Sequence, residues 1–403
     1  MKLPSRATVT KPSSSFRFLL AIPASSYSSA WLLDPFRIHY LVARGRRRQT
    51  CRQERRRKHM TTSNLSRRRT LQAGLALGTA PLVTAAAAAT SPQNPSNRKI
   101  TLAARWDKTF PQGKQVDHRK VTFRNRFGIT LAADLYRPKN RGGDKLPALV
   151  LSGPFGAVKE QVAGLYAQTL AERGFVTLAF DPSFTGESGG EVRNVASPEF
   201  FTEDFSAAVD YVGLLADVDR NSIGAMGICG LSGMALTAAT GDSRIKAVAT
   251  SSMYDMSRSI SRSYKDGYTK EQRQKVIDYL GQQRWADAAK GTHAVGYHEV
   301  PFDRNGQIVK GTRVLPEKLP ADADPVLAAF FDYYRTPRGF HARSINSAAA
   351  WTATTPMSFF EFPMAANIDM IAPDRSCWCM ARTRIRATTR RTCTRRRAAR
   401  RSW

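Results

Sequence analysis

The chain has 403 residues and a formal net charge of +30, from 62 Lys and Arg against 32 Asp and Glu. The charge lies at the two ends. Residues 1–69 carry 17 basic and 2 acidic side chains, and residues 375–403 carry 11 Arg and no acidic side chain. Because the middle of the chain is close to balanced, the composition argues against a nucleic-acid-binding domain, and we expect no nucleic-acid partner.

Residues 60–89 have the pattern of an export signal. Met60 precedes the arginines Arg67 and Arg68, and a short apolar run and a run of alanines follow. These features define a secretory signal, and paired arginines are typical of the twin-arginine type. The apolar run is too short to span a bilayer, so we expect no stable membrane span. We predict that residues 1–59 are a spurious upstream extension. A chain started at Met60 would be periplasmic or secreted; otherwise it would be cytoplasmic.

A single domain is predicted over residues 98–373, in which apolar strands alternate with helices. The predicted strands lie at 121–125, 129–136, 147–152, 175–181, 223–228 and 245–250, and the predicted helices at 159–173, 201–215 and 234–239. Strands that are apolar on both faces and alternate with helices indicate a mostly parallel sheet covered on both sides, the α/β class. Residues 254–345 break this rhythm and are predicted to form an inserted helical cap with a helix over 271–289. Residues 344–350 are predicted to re-enter the core as a helix.

The segment from Gly227 to Gly233 lies between an apolar strand and an Ala-rich helix. Small residues at a sharp strand-to-helix turn, with one Ser or Cys at its tip, are the nucleophile elbow of acyl-transfer enzymes. Cys229 fits this pattern because Gly227 ends the strand two residues before it. Ser232 is the alternative, in a Gly-x-Ser pattern with Gly230. A nucleophilic thiol needs a lowered pKa, which a helix N-terminus and a His partner can supply.

Two further groups of residues bear on this interpretation. Ser188 also has Gly at both flanking positions of a Gly-x-Ser-x-Gly pattern, but no helix is predicted to follow it, so we expect a structural turn there. Of the 5 Cys, only Cys229 lies within 98–373, and the Cys spacing elsewhere does not match a zinc site.

Taken together, four segments make the chain resemble the α/β-hydrolase superfamily, and within it the dienelactone-hydrolase-like branch that also includes fungal polyketide acyltransferases. These segments are residues 152–161, residues 181–190, the elbow and residues 245–255. The resemblance implies hydrolysis of an ester, thioester or lactone, without metal or cofactor, on a small-molecule acyl substrate. Acyl transfer to another acceptor is the alternative within enzymes. A non-catalytic fold that binds an acyl ligand is the alternative outside them.

The resemblance also implies site residues. The nucleophile is Cys229, or Ser232. The oxyanion hole takes one amide from Gly230 and the other from Phe155 or Gly156, because Pro154 has no N–H. Lys159 and Glu160 begin the helix predicted after the strand at 147–152, and we interpret them as a helix-start charge pair.

The acid and the His of the superfamily's triad are expected after residue 373. No His follows His341, and residues 374–403 are an Arg-rich tail without hydrophobic periodicity. Translating the codons behind residues 377–381 in another frame gives an apolar strand that ends in His-Gly or Tyr-Gly. We therefore predict a frameshift near Pro373 and the loss of the final strand, which leaves an inactive or truncated homologue as a further alternative. The four histidines within residues 98–373, namely His118, His293, His298 and His341, are expected at the surface.

Overall fold

The structure is a computed structural model that describes residues 100–364 and 366–371, and the backbone of 376–379. These residues belong to one compact unit. The predicted upstream extension, the predicted export signal and most of the Arg-rich tail lie outside the described residues. Within the described part of the chain, no helix combines the length and the apolar character that crossing a bilayer requires.

The described residues contain a seven-stranded sheet with the order β1-β2-β4-β3-β5-β6-β9. Its strands are β1 (Val116–Arg124), β2 (Thr130–Pro138), β3 (Leu146–Ser152), β4 (Val176–Phe180), β5 (Val218–Ile228), β6 (Ala247–Ser251) and β9 (Ser376–Cys379). The β1–β2 and β2–β4 pairs are antiparallel, and all other neighbours are parallel. This confirms the predicted mostly parallel sheet.

Alternate residues of the central strands supply two separate cores. Val150 of β3 packs in the larger cluster, while its neighbours Leu149 and Leu151 pack in the smaller cluster on the other face. Successive side chains of a strand point to opposite faces, so a strand that is buried on both sides is apolar at every position. This explains why these strands have continuous apolar sequences and no alternation.

Helices cover both faces of the sheet. They are α1 (Val162–Ala171), α2 (Pro198–Gly213) and α3 (Leu231–Gly241). Side chains of α1 lie in the smaller core, and those of α2 and α3 lie in the larger one. The predicted helices are confirmed in kind and order. The helix predicted from residue 159 begins three residues later because Lys159 and Glu160 turn into a buried ion cluster.

The insertion after β6 is largely helical, as predicted. It contains α4 (Met256–Arg262), α5 (Lys270–Lys290), α6 (Pro325–Tyr334), α7 (Ile345–Ala348) and α8 (Pro356–Glu361), and a small antiparallel sheet of β7 (Val295–Gly296) with β8 (Trp351–Thr352). Short 3₁₀ helices lie at Tyr264–Asp266 and Ile368–Met370. The capping box of Thr269 and Gln272 starts α5, and Gly291 in the left-handed conformation ends it.

Strand β9 falls inside the segment that was predicted to be out of frame. Its backbone pairs in parallel with β6, from Ser376 opposite Val248 to Cys379 opposite Ser251. Four residues of the tail thus pair with the sheet edge at β6, and the predicted loss of the C-terminal part stays a prediction. The rest of the tail lies outside the described residues, and the frameshift stays a prediction.

Candidate active site

The elbow has the backbone geometry of a sharp strand-to-helix turn. β5 ends at Ile228, α3 begins at Leu231, and Cys229 between them has a φ of 57°. A non-glycine residue in this left-handed region is uncommon and costs conformational energy, so such residues concentrate at functional sites. Cys229 is half-buried and its thiol is free. The elbow therefore presents one nucleophile at its tip.

Backbone hydrogen bonds hold Cys229 in this conformation. Its N–H donates to the carbonyl of Ser251 at 2.8 Å, and its own carbonyl accepts from Tyr254 N at 3.1 Å and Ser232 N at 3.2 Å. Ser251 ends β6, and Tyr254 follows it. The end of β6, the segment after it and the first turn of α3 thus fix both polar atoms of the Cys229 backbone.

Two glycines allow the helix and the neighbouring loop to approach the turn. A Cβ on Gly227 would lie 2.4 Å from Ser232 Cα and 2.6 Å from the Leu231 carbonyl oxygen. A Cβ on Gly230 would lie 2.5 Å from Phe155 Cβ and 3.1 Å from Phe155 N. Any larger residue at either position would force backbone atoms apart, so the spacing of these glycines has a steric cause.

The two other candidate nucleophiles hold the backbone in place. Ser232 is fully buried in the first turn of α3, where its hydroxyl donates to the Gly227 carbonyl at 2.8 Å. Ser188 is 2% exposed; its hydroxyl donates to the Asp181 carbonyl at 2.6 Å and accepts from Ala132 N at 2.9 Å. The geometry thus favours Cys229 among the three, and Ser188 has the structural role that was predicted for it.

The predicted oxyanion-hole amides lie in the loop after β3. Within the described part of the chain, the N–H groups of Phe155, Gly156 and Gly230 donate to no other protein group. Phe155 packs so closely on Gly230 that a Cβ there would lie 2.5 Å from Phe155 Cβ and 3.1 Å from Phe155 N, so a glycine is required. The structure thus brings the two predicted sources of amide donors together beside Cys229.

The Phe155 side chain is enclosed by the insertion and by α2. Its ring centroid lies 4.4 Å from that of Trp351, 5.4 Å from His298 and 5.5 Å from Phe359. Phe201 of α2 completes the enclosure at 6.4 Å. Since Trp351, His298 and Phe359 all belong to the insertion or follow it, the cap packs directly against the oxyanion loop.

His298 was expected at the surface, and this expectation is wrong. The residue is half-buried, and its Nδ1 is fully buried without a hydrogen-bond partner among the described residues. Burial lowers the pKa of His298 to about 4, so the ring is neutral near pH 7. The aromatic neighbours that bury it are remote in sequence, which is why its position could not be predicted.

The expectation of a surface position is also wrong for two other histidines. His118 lies within β1, where its Nε2 is 2.8 Å from Asp134 Oδ1. His341 is 9% exposed, and its Nδ1 accepts from Arg343 N at 3.3 Å; burial lowers its pKa. His293 is exposed, as expected. Within the described residues, no histidine hydrogen-bonds Cys229, and the predicted triad acid and His after residue 373 stay predictions.

Lys159 and Glu160 do not form the helix-start charge pair that was expected. Lys159 is fully buried, and its Nζ lies 2.8 Å from Asp181, 2.7 Å from Glu160 and 2.6 Å from Glu187. Burial alone would lower the pKa of Lys159, but the three carboxylates hold it well above its ordinary value. Lys159 N also donates to Asp181 Oδ1 at 2.7 Å. This ion cluster therefore fixes the far end of the oxyanion loop.

One group of acidic residues has the spacing of a metal site. Carboxylate oxygens of Asp107, Glu160 and Glu187 lie within 4.8 Å of one another. However, Lys120 Nζ lies 2.7 Å from Glu160 and 2.5 Å from Glu187, and Arg343 pairs with all three carboxylates. Since these cations already balance the negative charge, the donor set does not fit a divalent ion.

The fold and the site together define a class. Three features define an α/β-hydrolase. The mostly parallel sheet has helices on both faces. A nucleophile at positive φ follows the fifth strand, and the loop after the third strand, which carries free amides, packs against the residue after that nucleophile.

Comparisons with known proteins agree with this class. The sequence profile described as X-Pro dipeptidyl-peptidase (S15 family) matches residues 128–300. Uncharacterized protein PA2218 of Pseudomonas aeruginosa is 56% identical over 288 residues, which cover 72% of this chain and 73% of that protein. The crystal structure of PA2218 superposes with a TM-score of 0.63 over 69% of this chain and 81% of that one, at 57% identity.

Two more relatives widen the comparison. Uncharacterized protein YcjY of Escherichia coli is 37% identical over 255 residues, 61% of this chain and 76% of that protein. Thiohydrolase aneE of Aspergillus aculeatus is 33% identical over 129 residues, 32% of this chain and 39% of that protein. The chain belongs to the same family as PA2218, and its fold is that of the α/β-hydrolase superfamily.

Proposed function

We propose that the protein hydrolyses ester, thioester or lactone bonds of a small acyl substrate through a covalent intermediate on Cys229. One observation carries this proposal: a free, half-buried thiol at positive φ, beside which the unpaired amides of Gly230 and Phe155 lie close together. The thiohydrolase name of one relative supports the choice of a thioester or ester over an amide.

The first half of the reaction forms an acyl-enzyme. The thiolate of Cys229 attacks the carbonyl carbon, the new S–C bond forms, and the carbonyl π electrons move to the oxygen. The Gly230 amide and an amide of the Phe155–Gly156 pair donate to this developing oxyanion. The oxyanion collapses, the bond to the leaving group breaks, and the alcohol or thiol leaves with the electron pair and takes up a proton.

The second half returns the enzyme to its starting state. Water attacks the acyl carbon of the thioester, loses a proton, and forms a second oxyanion at the same place. Collapse of this species breaks the S–C bond, so the carboxylic acid leaves and the Cys229 thiol is regenerated. A base must take the proton in each half. We infer that it is a His that the restored reading frame after codon 373 would supply, since the sequence as given has no His after His341.

The test is acylation of the full chain by p-nitrophenyl butyrate and by a butyryl thioester, followed by mass spectrometry of the intact protein and its peptides. We expect a butyryl adduct on Cys229, and a loss of at least about 10³-fold in acylation rate for Cys229→Ala. An unchanged rate in Cys229→Ala would overturn the proposal. Product diverted to added alcohols or amines in place of the free acid would instead indicate an acyltransferase.

We also propose that translation starts at Met60 and that the product is exported. We propose further that a frameshift near codon 373 separates the given sequence from the natural one. The arginine pair and apolar run after Met60 and the Arg-rich composition after residue 373 support these two proposals. Sequencing the DNA from codon 360 onward tests the second. A restored frame should supply an acid and a His, whereas an intact reading frame identical to the present one would refute it.

A further inference from the structure

Two consecutive carbonyls of the oxyanion loop are held by one segment of the insertion. Asn346 Nδ2 donates to the Phe155 carbonyl at 2.8 Å, and Asn346 N donates to the Gly156 carbonyl at 3.2 Å. Ser344 Oγ donates to the same Gly156 carbonyl at 2.9 Å. Asn346 is 8% exposed and Ser344 is fully buried. These three hydrogen bonds thus form away from solvent.

Fixing a carbonyl also fixes an amide. The C=O and N–H of one trans peptide point in opposite directions, so the bond from Asn346 to the Phe155 carbonyl sets the direction of the Gly156 N–H. The preceding peptide is set in the same way, because the Pro154 carbonyl accepts from Ala157 N at 2.9 Å. Asn346 therefore sets the direction of the Gly156 N–H, and Ala157 sets the direction of the Phe155 N–H.

Asn346 also requires glycine at position 156. Gly156 has a φ of +84°, and a Cβ there would lie 2.5 Å from Asn346 Oδ1. The Asn346 amide thus lies directly on the Gly156 α-carbon, and the left-handed conformation of Gly156 turns its two peptides toward Asn346 and Ser344. A side chain at position 156 would therefore disturb both the contact with Asn346 and the left-handed backbone conformation.

The ion cluster also holds the segment that carries Asn346. Arg343 pairs with Asp107, Glu160 and Glu187 of the ion cluster. Since Lys159 of the same cluster holds the far end of the oxyanion loop, loop and segment are tied to one set of buried carboxylates. Their relative position is thereby fixed at both ends.

We propose that Asn346 is a positioning residue of the oxyanion hole, and that Ser344 is its second anchor. Asn346 acts through the peptide planes of Phe155 and Gly156, whose carbonyls it holds. This inference rests on the proposed acylation of Cys229. Its effect belongs to steps that place negative charge on a carbonyl oxygen, because only these steps need amide donors of fixed direction.

Two reactions of the same thiol separate this role from a structural one. Acylation of Cys229 by p-nitrophenyl butyrate passes through an oxyanion, whereas alkylation by iodoacetamide displaces iodide at a saturated carbon and forms none. Both rates are measured on the full chain at one pH, so the ionised fraction of the thiol cancels in their ratio. Peptide mapping confirms that Cys229 carries each adduct.

Asn346→Asp is the main variant, because it keeps the side-chain size and replaces the amide donor with an oxygen facing the Phe155 carbonyl. We expect its acylation rate to fall about 10²-fold while alkylation stays within about twofold. Ser344→Ala removes one of the three bonds, and we expect a fall of about tenfold. Asn305→Asp makes the same charge change on an exposed loop and should leave both rates unchanged.

The outcomes distinguish the inference from the proposed function. If the parent protein is alkylated but never acylated, the proposed function fails and the inference fails with it. If the parent is acylated and the acylation-to-alkylation ratio is the same in Asn346→Asp and Ser344→Ala as in the parent, only the inference fails. Should Asn346→Asp not fold, the ratio in Ser344→Ala decides alone.

Discussion

The elbow and the oxyanion loop face each other across the candidate site, but they are held in different ways. The partners that fix Cys229, namely Ser232, Ser251 and Tyr254, all lie within 25 residues of it in the sequence. The oxyanion loop instead depends on remote residues: Asn346 is 191 positions from Phe155, and Ser344 is 188 positions from Gly156. One half of the site is therefore assembled locally, and the other half by the tertiary fold.

This difference separates two kinds of vulnerability. Damage to the elbow should come from substitutions within the elbow itself, where a single added methyl group meets backbone atoms. Damage to the oxyanion loop should come from positions far along the chain, in the ion cluster and in the insertion. Four predictions test this contrast by changing one side at a time.

Lys159→Met should have the largest effect on stability. It removes the cation that Asp181, Glu160 and Glu187 share in a fully buried site, and unpaired buried charges are strongly unfavourable. We expect a loss of about 3 to 5 kcal/mol in the free energy of unfolding, measured by urea denaturation. Lys139→Met, at an exposed lysine, is the control. A loss below about 1 kcal/mol for Lys159→Met would contradict the role given to the cluster.

Gly227→Ala should damage the elbow from within. The new methyl group would meet Ser232 Cα and the Leu231 carbonyl, both backbone atoms of the first turn of α3, which cannot rotate away. We expect a loss of about 2 to 3 kcal/mol in thermal or urea unfolding. Gly241→Ala, at the last residue of α3, where the α-carbon has open space around it, should be neutral. Equal stability of the two variants would show that the elbow is loosely packed.

His298 should make stability pH-dependent. Burial lowers the pKa of His298 to about 4, while an unfolded histidine titrates near 6.5. The folded protein thus holds the ring neutral when the unfolded chain takes up a proton, and stability falls as the pH drops from about 6.5 to about 4. Between pH 7 and pH 4.5 we expect His298 to contribute about 2 kcal/mol of this fall.

The measurement for His298 is urea denaturation at both pH values. His298→Gln should show the smaller fall between them, and His293→Gln, at a side chain that is 47% exposed, should behave as the parent does. A pH dependence that is identical in the parent and His298→Gln would mean that the ring is open to solvent, and that the insertion covers Phe155 less tightly than described.

Ser232→Ala should have the smallest effect. It removes the hydrogen bond to the Gly227 carbonyl and leaves Cys229 in place, so we expect about 1 kcal/mol less stability and an acylation rate within a few fold of the parent. Stability comes from thermal unfolding, and the rate from p-nitrophenolate release. Loss of acylation in Ser232→Ala comparable to that in Cys229→Ala would make Ser232 the nucleophile after all.

The same contrast explains how much the sequence predicted. The order of strands and helices, the parallel sheet and the elbow were predicted, because apolar periodicity and glycine spacing are local properties. Ser188 was assigned a structural turn for the same reason. Lys159 was misjudged because its partners Asp181 and Glu187 lie on another loop, and a charged pair next to a predicted helix gives no sign of burial.

The insertion was predicted in outline only. The polar sequence of α5 indicated a helix, but α6 and α8 were not recognised, and the contacts of Asn346 with Phe155 and of Trp351 with the same ring join residues almost 200 positions apart. No periodicity encodes such pairs. The burial of His298 follows from these contacts, so it too was beyond prediction from one sequence.

The seating of residues 344–351 on Phe155 has a consequence for how a substrate can enter. If the whole insertion swung open as a lid, Asn346, Ser344 and Trp351 would leave with it, and the amides beside Cys229 would lose their orientation at every opening. Substrate entry would then require a state of the protein in which the oxyanion amides are not oriented for catalysis. A route that avoids this conflict passes other parts of the insertion while residues 344–351 stay seated. By this criterion, residues 344–351 belong to the rigid floor of the enzyme and not to its movable cover.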